Sequence, residues 1–210
     1  MKKTIISCVL FLTAVTAFSQ TPMKTAAEAK LSASDLAVKI ADRILATTTY
    51  EFKNTKTGKT YKSVKNLPLD MNVKVACKYN NWHYTNGVTH IALMELADKT
   101  GAKKYDDYVL KNMNFVFNEG NLDFFKKQYE QAMKNEGWYG VRKLSWHMIF
   151  RGKRLDDNGP MGASLIDLQM KHPNNSFLNY INETAEHLNY GEPRLADGTI
   201  ARIWPHENTI

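Results

Sequence analysis

From Leu36 onwards apolar residues return every three or four positions, the period of an α-helix with one buried face. Leu36, Ile40, Ile44 and Leu45 predict a first helix, capped by Ser34-Asp35 and running to Thr47. The pattern then stops. Thr48 to Asp70, including "NTKTGKTYKSVKNLP", is polar and carries Gly58 and Pro68, so it predicts a long inserted loop. Helical spacing resumes from Asn86 with Val88, Ile91, Ala92 and Leu96, and Gly101 is placed as a C-cap. Lys104 to Asn118 repeats the pattern through Tyr105, Tyr108, Val109, Met113 and Val116. Leu122 to Met133 gives a shorter helix with Phe124, Phe125 and Tyr129. A glycine-interrupted aromatic stretch follows, before helices over Pro160 to Lys171 and Ser176 to Leu188. Strand signal is confined to Thr199 to Trp204. About six helices with short connections predict an all-α protein of antiparallel helical hairpins.

The first twenty residues read differently. Lys2 and Lys3 form a basic start, Ile5 to Ala17 an apolar run too short to span a bilayer, and Ala17-Phe18-Ser19 a small-residue cleavage site. Residues 1–19 are therefore expected to be a secretory signal peptide, residues 20–210 one domain, and the destination the periplasm or the outside of the cell. Removing the signal takes Lys2, Lys3 and Cys8 with it and lowers the net charge from +7 to +5. Cys77 is then the lone cysteine, so stability must come from packing and not from a disulfide.

The basic balance changes the picture only a little. Lys53, Lys56, Lys59, Lys62 and Lys65 are scattered through the polar stretch and not clustered on one helix with interleaved aromatics, so nucleic acid is not an expected partner. An acidic polysaccharide suits an exported basic protein equally well, and a merely solvated surface is the plain alternative. No membrane association is expected once the signal is removed. The chain has six histidines, but none lies at His-x-x-x-His or Glu-x-x-His spacing, and no metal or cofactor is expected. A Gly-x-Ser-x-Gly elbow, a phosphate-cradling glycine loop and a dinucleotide fingerprint are also missing from the sequence.

Two stretches could carry chemistry. In "RLDDNGPMGASLIDL", Asp156 and Asp157 sit beside Arg154 where a turn gives way to a helix. They could cap that helix, or one could be a carboxyl group tuned by burial and neighbouring charge for acid–base work. In "NNWHYTNGVTH", Trp82 and Tyr84 stand beside Asn86 and Gly87. Aromatic faces next to amides suit sugar rings, but the same residues could form a hydrophobic staple and an asparagine N-cap. A third stretch, "RLADGTIARIWPHENTI", has a turn signal at Asp197-Gly198.

Taken in order, "WHYTNGVTHIALMEL", "RLDDNGPMGASLIDL" and "RLADGTIARIWPHENTI" resemble the unsaturated glycuronyl and rhamnogalacturonyl hydrolases, glycoside hydrolase families 88 and 105. The resemblance runs from about Leu36 to the end, the stretch from Thr48 to Asp70 excepted. It implies an (α/α)6 toroid of helical hairpins. It also implies hydrolysis of unsaturated oligosaccharides ending in a uronic acid, of the pectin or rhamnogalacturonan type, by hydration of a C4–C5 double bond. Asp157 matches the acidic residue just before the family's Asn-Gly turn, with Asp156 its substitute, and the family's main acid–base aspartate belongs to a Trp-x-Asp motif. Trp82 and Tyr84 match substrate-stacking positions, while Asn86 and Arg202 match polar contacts. In the family a Trp-x-Asp motif follows "ENTI", so the resemblance implies that this chain, ending at Ile210, corresponds to the N-terminal half of the toroid. The competing expectation is a non-catalytic helical protein of the envelope that binds carbohydrate or is purely structural.

Overall fold

In a computed structural model, residues 32–150 and 155–201 are described, the side chains of Glu119, Leu155 and Asp157 excepted. The chain divides into two units, Met1–Ala37 and Val38–Ile210. In the first, the described residues open helix α1 (Ala33–Thr47). Ser32 Oγ accepts from the Asp35 amide at 3.1 Å, and Asp35 Oδ2 accepts from the Ser32 amide at 3.3 Å, a reciprocal pair that satisfies two free N–H groups at the helix start. The cap is therefore Ser32, slightly before the Ser34-Asp35 pair that the sequence pointed to.

In the second unit the Thr48–Asp70 stretch is not a structureless loop. It contributes strands β1 (Phe52–Asn54) and β2 (Thr60–Tyr61), which join β3 (Val73–Val75) in an antiparallel sheet of order β2-β1-β3. Asn54 Oδ1 accepts from the amides of Lys56 and Thr57, and Gly58 takes φ 76°, which only glycine adopts freely; together they close the β1–β2 hairpin. One face of this sheet is core: Phe52 and Val73 are fully buried, with Phe52 packed among Phe115, Phe124 and Phe125. Buried Gln128 donates to the carbonyls of Asp70 and Val73 at 2.8 and 2.7 Å, pinning the start of β3 to the helix that carries it.

Five further helices lie where the sequence pattern places them, two of them longer than expected. Helix α2 (Tyr84–Thr100) starts at the N-cap His83, whose ring accepts from the Thr85 amide, and stops at Gly101 with φ 70°. Its buried face is Gly87, His90, Leu93, Met94 and Ala97, a single helical stripe but not the expected one of Val88, Ile91, Ala92 and Leu96, of which Val88 and Ala92 are exposed. Helix α3 (Lys104–Val116) buries Tyr105, Tyr108, Val109, Asn112, Met113 and Val116. Helix α4 (Glu119–Val141) is much longer than the expected Leu122–Met133, and is kinked at Gly137, whose φ 58° and ψ −148° lie outside helical space. A short 3-10 turn (His147–Phe150) leads towards α5 (Leu155–Lys171), and α6 (Asn175–Glu186) ends in one π-type turn, His187–Gly191. The expected strand near Thr199 is reduced to a bridge between Arg194 and Ile200 around the Asp197-Gly198 turn, and residues 202–204 lie outside the described residues. Among the described residues no helix is long and apolar enough to cross a membrane.

Candidate active site

The most extensive helix contact is α2 against α5, and it begins at a glycine. A Cβ on Gly87 would lie 2.3 Å from the Pro160 carbonyl carbon and 2.5 Å from the Met161 nitrogen. Two backbones touch here, so only hydrogen fits between them. This contact sets the head of α2 against the first turns of α5. Just before α2, the Trp82 indole donates to Asn158 Oδ1 at 3.1 Å within the core. The "WHY" and "LDDNG" stretches, far apart in the chain, are thereby brought together. Because an indole only donates, it fixes the Asn158 amide with its oxygen towards Trp82 and its NH2 turned away.

The expected site residues fall into different settings. Asp156 and Asp157 lie in the first turn of α5, which starts at Leu155 and not at Pro160; Asp156 is exposed. A carboxylate there faces the positive end of the helix dipole. Tyr84 is 46% exposed, and its ring lies against His83 with centroids 4.7 Å apart. Trp82 is only 1% exposed and packs against Trp146 and Tyr180, so in this structure it presents no open face to a sugar. Asn86 is buried too, and its Nδ2 donates to the carbonyls of Lys78 and Asn81 and to Asn81 Oδ1. Its amide nitrogen thus holds the turn that precedes α2. The helix cap is His83, not Asn86. Arg202 lies outside the described residues.

Asn158 also lines a pocket of about 410 Å³. The walls come from Tyr129 and Glu130 of α4, Phe150 of the 3-10 turn, Tyr180 and Glu183 of α6, and His187 of the π-type turn. Burial pushes the Tyr180 hydroxyl far above the usual tyrosine range, so it stays a neutral donor. His187 Nε2 lies 3.0 Å from Glu192 Oε1. A Cβ on Gly191 would sit 2.4 Å from His187 Nδ1, so glycine makes room for the ring in that orientation. The pocket therefore offers a neutral donor at Asn158, a cation at Lys126, acidic groups at Glu130 and Glu183, and a histidine oriented by a carboxylate, while the Tyr180 hydroxyl donates to the Ile149 carbonyl at 3.5 Å. Sequence reasoning missed this set. Tyr180 reads as a core residue at helical spacing, and nothing in a five-residue His-to-Glu interval announces a pairing across a π-type turn.

His90 stands apart from this chemistry. It is buried between α2 and α3, 3.3 Å from Asn112 Nδ2, and burial lowers its pKa to about 4. Among the described residues no group of three or more His, Cys, Asp or Glu side chains could hold a metal ion.

Helices packed head against head beside a pocket are compatible with part of an (α/α)6 toroid of helical hairpins. The model of Glycosyl Hydrolase Family 88 matches residues 53–210, and the chain belongs to that family. No curated protein matches the chain.

Proposed function

We propose that the protein is an exported unsaturated glycuronyl or rhamnogalacturonyl hydrolase, with Asp157 as an acid–base residue. The observation that carries this reading is the Trp82–Asn158 hydrogen bond. It sets the residue that follows Asp157 against the aromatic motif of α2, in a chain of Glycosyl Hydrolase Family 88. The substrate is a sugar with a C4–C5 double bond conjugated to its ring oxygen. A proton adds to C4 and water adds its oxygen to C5, losing its own proton. The product is a hemiketal at C5. It opens to a ketone, and the hydroxyl released at C1 expels the remaining saccharide as an alcohol. No bond at C1 has to break in the enzymatic step, so one carboxyl group that gives a proton and takes one back is enough. Tyr84 is the exposed aromatic for the sugar face, and Trp82 acts through Asn158 as a positioning residue. Arg202 is proposed as a contact to the uronate carboxylate.

The test follows the alkene absorbance of an unsaturated rhamnogalacturonan disaccharide in the presence of the full-length gene product. Asp157→Asn keeps the helix-start preference and removes the proton, so turnover is expected to fall about 100- to 10,000-fold with an unchanged melt. Asp156→Asn is expected to cost far less. Unchanged turnover in Asp157→Asn removes the assignment, and a wild type inert towards every unsaturated uronide removes the reading as a whole.

A further inference from the structure

Seven lysines and two carboxylates lie between Glu51 and Lys78, a net +5 out of the chain's +7. The fold gathers this charge. In the β2-β1-β3 sheet Phe52 pairs with Tyr61 and Val75 on the core side, while Lys53 pairs with both Thr60 and Lys74. Lys53 and Lys74 are thus direct cross-strand neighbours on the outer face, with Cβ atoms roughly 5 Å apart. Like charges at that position repel. Lys56, Lys59, Lys62 and Lys65, along the hairpin and the turn after it, are all exposed.

Several lysines outside this stretch are paired. Lys104 pairs with Asp42, Lys127 with Asp123, Lys143 with Glu136 and Lys171 with Asp98. Among the described residues none of the lysines between Glu51 and Lys78 makes an ion pair. Asp70, one of the two carboxylates in the stretch, is taken up by Asn54 and Asn72. The aromatics between Glu51 and Lys78 are Phe52 and Tyr61, and the half-buried Tyr61 ring already has Lys59 Nζ over it at 5.0 Å from the centroid. Phe52 is fully buried, and the exposed aromatics Tyr84, Tyr139 and Tyr190 lie elsewhere in the sequence. A surface for single-stranded nucleic acid would interleave stacking rings with its cations. What is left is a closely spaced row of cations, suited to a polymer with one carboxylate per residue.

We propose that the outer face of this sheet, centred on Lys53 and Lys74, is a docking surface for a polyuronate chain. None of its lysines lines the pocket beside Asn158, so it would hold polymer and not the small unsaturated substrate. The choice of a uronate rests on the function proposed above, but the charge arrangement does not.

The probes are polygalacturonate, a neutral galactan of similar length and a single-stranded DNA oligonucleotide, each titrated at low and moderate salt. The double variants are Lys53→Gln with Lys74→Gln, and, as a charge-matched control, the exposed helical pair Lys99→Gln with Lys134→Gln. Removing the sheet pair is expected to weaken polygalacturonate binding about tenfold or more and to flatten its salt dependence, while the helical pair leaves both near wild type. Turnover of the unsaturated disaccharide should be equal in all of them. Equal loss in both double variants would reduce the effect to net charge and overturn the proposal. Galactan binding as tightly as polygalacturonate, or DNA binding more tightly, would overturn it as well. Polyuronate binding that maps to the sheet in a protein inert towards the disaccharide would uphold this surface while removing the proposed hydrolase activity.

Discussion

Replacing Gly87 with alanine tests the helix contact on which the candidate site is built. The added Cβ would sit 2.3 Å from the Pro160 carbonyl carbon and 2.5 Å from its oxygen, where ordinary contact begins at 3.4 Å. Both atoms are backbone, so no side chain can swing aside, and the heads of α2 and α5 must part by about 1 Å. Overpacking of this kind costs about 1–3 kcal/mol. Straining the buried Trp82–Asn158 bond adds about 1 kcal/mol, and the helix preference of alanine over glycine returns about 1 kcal/mol. The net loss is about 2 kcal/mol, or a melting temperature lower by about 4–8 °C in a chain of this size. Gly162 supplies the control. It lies in α5, and a Cβ there meets nothing within 4 Å, so Gly162→Ala keeps the propensity gain without the clash. Thermal melts and urea titrations of the two variants should therefore move in opposite directions, about 3 kcal/mol apart. A Gly87→Ala protein as stable as Gly162→Ala would refute the backbone contact.

Further outcomes follow from single groups. His90 stays neutral in the fold down to about pH 4 but is protonated below about 6.5 once unfolded, so the unfolded chain binds the extra proton between those values. Stability is complete above that window and falls as pH drops through it, by a few kcal/mol at most; a His90→Gln protein with the same urea-midpoint slope over that range would refute this. Asn158→Ala leaves the Trp82 indole N–H buried without an acceptor, at a cost of about 1–3 kcal/mol, and its NMR signal should lose protection from exchange; unchanged protection would mean that the bond is not formed. N-terminal sequencing of protein from the periplasmic fraction should begin at Gln20, and intact Met1 in the cytosol would remove the export reading.

The helices were legible because their buried faces repeat at helical spacing over several turns, as Tyr105, Tyr108, Val109, Asn112, Met113 and Val116 do in α3. Their ends were less so. Pro160 looks like a first-turn residue, yet α5 begins five positions earlier and carries the proline inside. Gly137 looks like a stop, yet α4 bends there and runs on to Val141. The sheet escaped notice because strands of two or three residues are too short for any alternation to emerge. The site was harder still. A tryptophan beside asparagines reads alike whether it faces a sugar or a buried amide, and Trp82 faces the amide. Asn158 reads as part of a turn; its position between indole and pocket depends on a partner 76 residues away, which local pattern does not reveal.

That separation also governs how the protein comes into being. At about 5–20 residues per second, a ribosome needs roughly 4–15 seconds to add the stretch between Trp82 and Asn158. Throughout that interval α2 has been made but the helix that seats on Gly87 has not, and the largest helical interface cannot close. An emerging chain therefore stays open until α5 has been made. A fold that postpones its central contact in this way exposes its apolar faces to chaperones and proteases for longer than one assembled from neighbouring hairpins alone.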